Sequence, residues 1–442
     1  MKNINFYWEV FEKLYPYTRS LTGHGNQLTF ATLSDFGYDF KIHSVPSGSD
    51  VFDWTVPPQW NFYGASIKNC FGKEILSSDL TNLCVVNYSD PIDEIVSDEV
   101  LLAHTHTLEQ LPEAYPYRTS YYDRKWGFCI PYNIIKSNDF RGPFEVKIDC
   151  EFIEDGDLIY GEAVIPGKSE KEILISTYIC HPSMANDNLS GVISGLMLID
   201  YLKSLSSRKY TYRLIMVPET IGAICFLRDN QEELDKIVAG MILSNTAGPD
   251  KISFKNSFDA NHWINKLARH SISFISDDDF IEYEFAPDGS DERQYSTPGV
   301  RINTPSFHKS KYHEFLEYHT SLDNMDFVSR TSMMESYGCY KMLINGIESN
   351  SIPKLNFEIG EPFLSKKSLY PKTGGAIKQQ ASLDFFPKSK LDLDLFFKIW
   401  HHIDGAKDVL EISEAVNANF FKVLPLISLM QRENLCTISD EV

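Results

Sequence analysis

Between residues 171 and 245 three short apolar runs alternate with two longer segments, an order that few folds can accommodate. The runs are KEILIST (171–177), RLIMVPE (213–219) and AGMILSN (239–245), all rich in Ile, Leu, Val or Met. Short runs with so little polar alternation read as strands buried on both faces. Residues 189–205 carry apolar side chains at helical spacing with small residues interleaved, and residues 221–237 follow a less regular version of that pattern. Strand, helix, strand, helix, strand predicts an α/β fold whose mostly parallel sheet is covered by helices on both faces. Catalytic groups in such sheets collect at the carboxyl ends of the strands.

The flanks read differently. Residues 6–17 look helical and precede a stretch, 41–149, that is rich in aromatics and prolines and holds short candidate strands such as EILSSDL and FEVKIDC. The expected organisation is an α/β domain made of residues 1–40 and 150–352, interrupted by an inserted β-rich domain over 41–149. After residue 352 the string EPFLSKKSLYPKTGG, with its prolines and paired glycines, suits a linker. Helical patterns at 391–401, 406–416 and 420–432, then the β-like CTIS, follow the order of a winged helix-turn-helix over 366–442. Only Lys422 and Arg432 bring positive charge to its third helix, so nucleic acid is not the expected partner. Contact with another protein, or with a second copy of the chain, suits this segment better.

Charge and cysteine usage narrow the setting. The 442 residues include 41 basic and 61 acidic side chains, a formal charge of −20 that disfavours polyanions. The opening MKNINFYWEVFEKLYPYTRS has no basic segment followed by an apolar core, and no later run approaches ~18 uninterrupted apolar residues. A cytoplasmic protein without a membrane partner is the expectation. Eight cysteines lie far apart without a C-x-x-C pair, which points to free thiols rather than a zinc ribbon or a disulfide framework.

The residues just beyond each predicted strand are chemically suggestive. The first strand leads into Cys180-His181-Pro182-Ser183-Met184-Ala185-Asn186-Asp187, the second ends at Pro218-Glu219-Thr220, the third at Asn245, and Tyr318-His319 lies far downstream. Each residue alone has a plain reading: His181 as a loop filler, Asp187 as a helix N-cap, Glu219 as a solvated strand end. Together, two histidines and two carboxylates at sheet termini are the ligand and base types of a hydrolytic zinc site.

The string ANDNLSG, followed by an apolar helix, resembles the D-N-x-S-G signature of the co-catalytic zinc aminopeptidases, whose superfamily includes glutamate carboxypeptidase-like and glutaminyl-cyclase-like members. That resemblance covers residues 152–348. It implies that Asp187 stands where the family's aspartate bridges two metals, His181 where a histidine binds one metal, and His319 where a distant histidine binds the other. It also implies Glu219 as the general base and Tyr318 as a donor to the oxyanion, while Gly289-Ser290-Asp291 resembles the family's substrate-side G-S-D segment. Two positions depart from the pattern: Thr220 replaces the second acid of the Glu-Glu pair, and Asn245 falls where a ligand aspartate is expected. Losing a carboxylate from each metal position makes one zinc ion, on His181, Asp187 and His319 with water as fourth ligand, the expected occupancy, with Glu219 as base or additional ligand. Over the whole chain SLTGHGNQ, VFDWTVPPQW, CHPSMANDNLSG, GSDERQY and YHTSLDNMDF resemble a bacterial family of aminopeptidase-like proteins. Its members carry an inserted domain and a C-terminal winged helix and are often encoded beside polysaccharide-biosynthesis genes.

Residues 115–129, YPYRTSYYDRKWGFC, combine aromatic surfaces with Arg118, Arg124 and Lys125. They suit a lid over an anionic or sugar-bearing substrate, or simply the core of the inserted domain. Arg118, Asn245, Asp291 and Arg293 are the candidate substrate contacts, although Asp291, Glu292 and Arg293 could also serve one another. The expected function is metal-dependent hydrolysis of an amide bond in a small peptide or an N-acylated molecule, such as an amino-sugar precursor. A degenerate, non-catalytic binding or scaffold protein is the alternative.

Overall fold

The computed structural model describes residues 2–367, 369 and 392–439. The three apolar runs are strands at Glu172–Tyr178, Thr211–Val217 and Ile237–Leu243, parallel to one another with Glu172–Tyr178 in the middle. They form the centre of an eight-stranded sheet in which Ser306–Lys309 continues the parallel set beside Ile237–Leu243. Toward the margins the pairing turns antiparallel: Asp157–Ile165 lies between Thr211–Val217 and Lys41–Pro46, and Ile252–Lys255 lies against Ser306–Lys309. The sheet is therefore parallel through its centre and mixed at its edges.

The helix that follows the first parallel strand, Ser190–Ser204, is buried at nearly every position up to Leu202. A helix apolar on all sides is one covered on all sides. Its first turn lies hard against the strand ends, because a Cβ on Gly191 would stand 2.3 Å from the Leu243 carbonyl oxygen and 2.8 Å from Thr177 Oγ1. Any larger residue there would displace the helix and the turn that precedes it. The second predicted helix runs over Ile221–Asp229 and tightens into a 3-10 segment at Gln231–Lys236, which accounts for its less regular pattern.

The β-rich stretch does not keep the boundaries expected of an inserted domain. Its first strand, Lys41–Pro46, joins the main sheet, and its own four-stranded sheet uses Gln59–Lys68, Glu74–Ser77, Ile92–Val96 and Phe144–Ile153, running past residue 149. Along Phe144–Ile153 burial alternates, with Phe144, Val146, Ile148 and Cys150 turned inward. One half-buried face of a sheet needs cover. It finds it in a core where Trp60, Phe128 and Val146 belong to the same cluster as Leu158, Leu174 and Val217. Both sheets therefore sit in one compact unit, Met1–Asn265 with Phe280–Lys341.

The second unit comprises Lys266–Asp279 and Met342–Val442. Helices at Leu393–His402, Val409–Ala415 and Phe420–Arg432 precede the strand Cys436–Ser439, which pairs antiparallel with Ile352–Leu355. Residues ahead of 366 thus belong to this unit, contrary to the boundary read from the sequence. Asp408 and Glu411 cap the middle helix reciprocally, and Asn350 Nδ2 donates to Asp408 at 2.9 Å. Most of the proposed linker's second half lies outside the described residues, as do residues 391 and 440–442 at the ends of this segment. Among the described residues no helix is long and apolar enough to cross a membrane.

Candidate metal centre

Beyond Tyr178 the chain runs through Cys180 and His181 into the turn Ala185–Leu189, which feeds the buried helix. Asp187 and Asn188 leave helical geometry within this turn, and the peptide bond between them is cis. Asp323 fixes the turn from the far side. One of its carboxylate oxygens accepts the Asn186 N–H at 2.6 Å, the other accepts that of Asp187 at 2.8 Å, and its carbonyl accepts from Ala185 at 2.8 Å. The buried Arg19 donates from Nε to the His181 carbonyl at 3.0 Å, and the Tyr117 N–H donates to the His319 carbonyl at 2.7 Å. The backbone of all three metal-ligand candidates is thereby held by other parts of the same unit.

His181, Asp187 and His319 each present one nitrogen or oxygen, all within 4.8 Å of one another. His181 Nδ1 stands 3.9 Å from Asp187 Oδ1, and His319 Nε2 stands 3.0 Å from Asp187 Oδ2. Neighbouring ligand atoms in a tetrahedral zinc site are roughly 3.4 Å apart, a spacing these two distances bracket. His181 Nδ1, Asp187 Oδ2 and His319 Nε2 are all buried and make no hydrogen bond. Buried polar atoms almost always have partners; here His319 Nε2 and Asp187 Oδ2 meet as an ion pair at 3.0 Å, and three such atoms within 4.8 Å of one another suit a cation. Two imidazoles and a carboxylate are also the donor set that zinc takes.

The electrostatics favour a cation. Burial lowers the His181 pKa to about 4, leaving a neutral ring with a free lone pair at neutral pH. Burial pulls Asp187 upward, but His181, His319 and the Tyr178 hydroxyl outweigh it and hold its pKa at about 2. The Tyr178 hydroxyl donates to Asp187 Oδ1 and also meets Ser244 Oγ at 3.0 Å. Burial, with the charges of Asp291 and Asp187 nearby, pushes Glu219 well above the usual carboxylate range. Glu219 is 24 % exposed, and its Oε2 lies 3.7 Å from His181 Nε2.

The two departures from the zinc aminopeptidase pattern have clear local consequences. Thr220 adopts φ 66°, which is rare for a β-branched residue, and its N–H donates to Asp291 Oδ1 at 2.7 Å. Its hydroxyl accepts from Arg293 Nη2 at 3.1 Å. Asn245, at φ 52°, accepts from Ser244 Oγ at 2.5 Å, and its Nδ2 is buried without a hydrogen bond. Asn245 is not among the residues that line the cavity over the site. Asp291 is likewise buried and turned to the Thr220 backbone rather than to the cavity, and Glu292 pairs with Lys255 at 2.9 Å.

That cavity, of about 440 Å³, is lined by His181, Glu219 and His319 together with Arg118, Arg293 and aromatic rings. Tyr117, Arg118, Thr119, Tyr121 and Tyr122 are the part of the aromatic stretch that lines it. Pro116 bridges to Thr320, and the Tyr117 ring stands edge-on to both His181 and His319, at 5.2 and 5.1 Å. Arg124 and Lys125 do not line the cavity, and pair with Asp90 at 2.7 Å and Asp123 at 3.2 Å. Tyr318 stacks on His319 with ring centres 3.9 Å apart. Three residues central to this geometry, Arg19, Tyr178 and Asp323, had no role assigned from sequence, and Tyr117 had only its place in the aromatic stretch 115–129. Asp323 sits in the string YHTSLDNMDF, four residues after His319, and that proximity is the one signal that could have marked it.

The family described as "Domain of unknown function (DUF4910)" matches residues 8–350. A Clostridium acetobutylicum protein, provisionally named a polysaccharide biosynthesis protein with an aminopeptidase-like domain, is 34% identical over 420 residues, covering 94% of this chain and 92% of its own. This chain belongs to the DUF4910 family. A crystal structure from Clostridium acetobutylicum, provisionally called a peptidase, superposes on it with a TM-score of 0.89 at 31% identity, covering 99% of this chain and 96% of that one. Beyond the DUF4910 family the fold extends to a zinc aminopeptidase from Bacillus subtilis, with a TM-score of 0.55 at 12% identity over 78% of this chain and 94% of that one. A peptidase M28 precursor from Shewanella amazonensis gives 0.52 at 12% over 78% and 93%. At that identity the likeness establishes the aminopeptidase-like fold alone.

Proposed function

We propose that the chain is a metal-dependent hydrolase of an amide bond, with one zinc ion held by His181, Asp187 and His319. The observation that carries this reading is the convergence of three buried, hydrogen-bond-free ligand atoms at the carboxyl end of the sheet. Zinc, when bound, supplies a lowered pKa to water and polarises a carbonyl. Glu219, beside His181, takes the proton of the attacking water and returns it to the leaving amine. Burial, first, and the charges of Asp291 and Asp187 raise its pKa, and a cation at the three ligands opposes that rise and favours the carboxylate form a base needs. Tyr318 keeps its proton, because burial raises its pKa first and the charges of Asp187 and Glu219 add to that; it stacks on His319 without lining the cavity, so its donation to the oxyanion rests on the family resemblance.

The aminopeptidase-like fold and the name of the Clostridium relative support the hydrolase and a connection with polysaccharide biosynthesis. Seven buried free thiols suit the cytoplasm. A non-catalytic binding protein is the second reading, favoured by the absence of carboxylates at Thr220 and Asn245. Zinc content and turnover of the wild type and Glu219→Gln, assayed on aminoacyl anilides and N-acyl amino acids, separate the two. The hydrolase reading expects equal zinc in both proteins and turnover in the wild type alone; no zinc in either protein supports the binding reading.

A further inference from the structure

Glu219 shares its cavity with two arginines. Arg118 and Arg293 both line it, and among its described lining residues Glu219 is the only carboxylate. Neither arginine makes an ion pair among the described residues. Arg293 spends one N–H on the Thr220 hydroxyl, while its Nε is buried without a hydrogen bond. Asp291, two residues away, accepts from the Thr220 N–H through Oδ1, so the guanidinium acts on it, as on Glu219, as a nearby charge without an ion-pair contact. A guanidinium fork left open in a cavity matches a carboxylate or phosphate. This is the more telling in a chain of formal charge −20, where acidic partners for arginine are plentiful.

The same arrangement works against a free amino terminus. An ammonium needs a carboxylate, and the one at hand is the proposed base; placing the ammonium between two guanidinium groups adds like-charge repulsion in a partly desolvated space. Trp54, Tyr121 and Tyr122 complete the wall with flat apolar surface against which a ring can lie.

We propose that the cavity selects an anionic amide whose nitrogen is acylated, its carboxylate or phosphate held by Arg293 and Arg118, and rejects substrates with a free α-ammonium. This rests on the hydrolase reading and sharpens it: despite its aminopeptidase-like fold, the chain is an amidase for blocked, negatively charged molecules.

Calorimetric titration of the zinc-loaded protein with three matched compounds tests it. N-acetyl-L-tyrosine is the anion, N-acetyl-L-tyrosinamide the neutral control, L-tyrosinamide the cation, and phenyl phosphate separates phosphate from carboxylate. The expected result is that one or both anions bind roughly ten-fold or more tightly than the neutral control, the size of a charge-assisted hydrogen-bonded pair, with the cation weakest. Arg293→Gln and Arg118→Gln should each reduce that preference, the ratio of anion to neutral binding, while zinc content stays unchanged. Arg118 is exposed, so its variant keeps the fold even if that of Arg293 does not. Tighter binding of tyrosinamide than of either anion, equal binding of all four, or no binding of the anions overturns the proposal. Repeating the titration on zinc-free protein distinguishes the failures: an anion preference without zinc binding sinks the hydrolase and spares the anion site, whereas zinc binding without anion preference does the reverse.

Discussion

The central strands carry a buried charged cluster at each end, and the two are built on opposite principles. At the amino ends Arg213 grips Glu172 through Nε and Nη2, at 2.6 and 2.8 Å, reaches Glu162 through Nη1, and Glu162 in turn meets His43 Nε2 at 3.0 Å. No side-chain nitrogen or oxygen of Arg213, Glu162, Glu172 or His43 is among the buried atoms lacking a hydrogen bond. At the carboxyl ends His181, Asp187 and His319 are as crowded, yet each keeps a buried atom without a hydrogen bond. Burial of charge therefore does not mark a site; unmet bonding capacity does. One cluster is closed by its own side chains, and the other keeps buried atoms that could hold a metal ion.

The comparison can be broken by exchanging the consequences of mutation. The largest effect expected is on turnover: Glu219→Gln, measured by steady-state kinetics, should lower kcat roughly a hundred- to ten-thousand-fold with zinc content unchanged. At the other end Arg213→Met leaves two carboxylates buried without their cation. Denaturant unfolding should show a loss of about 3–5 kcal/mol, again with zinc content unchanged. A loss of zinc in that variant would mean that the two ends are not independent. Tyr178→Phe removes the hydroxyl that orients Asp187 and should weaken zinc about 10–100-fold in a competition titration, with little change in unfolding of the zinc-free protein.

The smallest effect concerns pH. Burial alone would raise Glu162, but His43 and Arg213 outweigh it and hold its pKa below the ordinary carboxylate range. Its contribution to stability is then complete above its unfolded value of about 4.3 and is lost as the pH falls through the lower, folded value. Arg213→Met should flatten that acid limb in a series of unfolding curves below about pH 4.

How much of this was readable in the sequence differs between the two ends. The carboxyl end was legible because its residues follow strands directly, and because D-N-x-S-G needs its glycine: Gly191 is where helix and strand carbonyl touch. Its supports were not, since Asp323 and Arg19 act through backbone groups of residues more than a hundred positions away, and backbone bonding leaves no pattern in a sequence. The amino-end cluster was invisible for a related reason. Glu162, Glu172, Arg213 and His43 meet only because Asp157–Ile165 pairs antiparallel with Thr211–Val217 and brings Lys41–Pro46 to the sheet edge. That same pairing moved the start of the β-rich segment into the main sheet. A register between distant strands is set by the packed core, which periodicity along one strand does not encode.

The most direct test is an anomalous-scattering map of crystals grown with zinc and measured at its absorption edge. A peak is expected within bonding distance of His181 Nδ1, Asp187 and His319 Nε2, absent from Asp187→Ala crystals. A zinc-loaded crystal with no peak between those side chains, or with the ion bound elsewhere and unaffected by Asp187→Ala, would contradict this expectation.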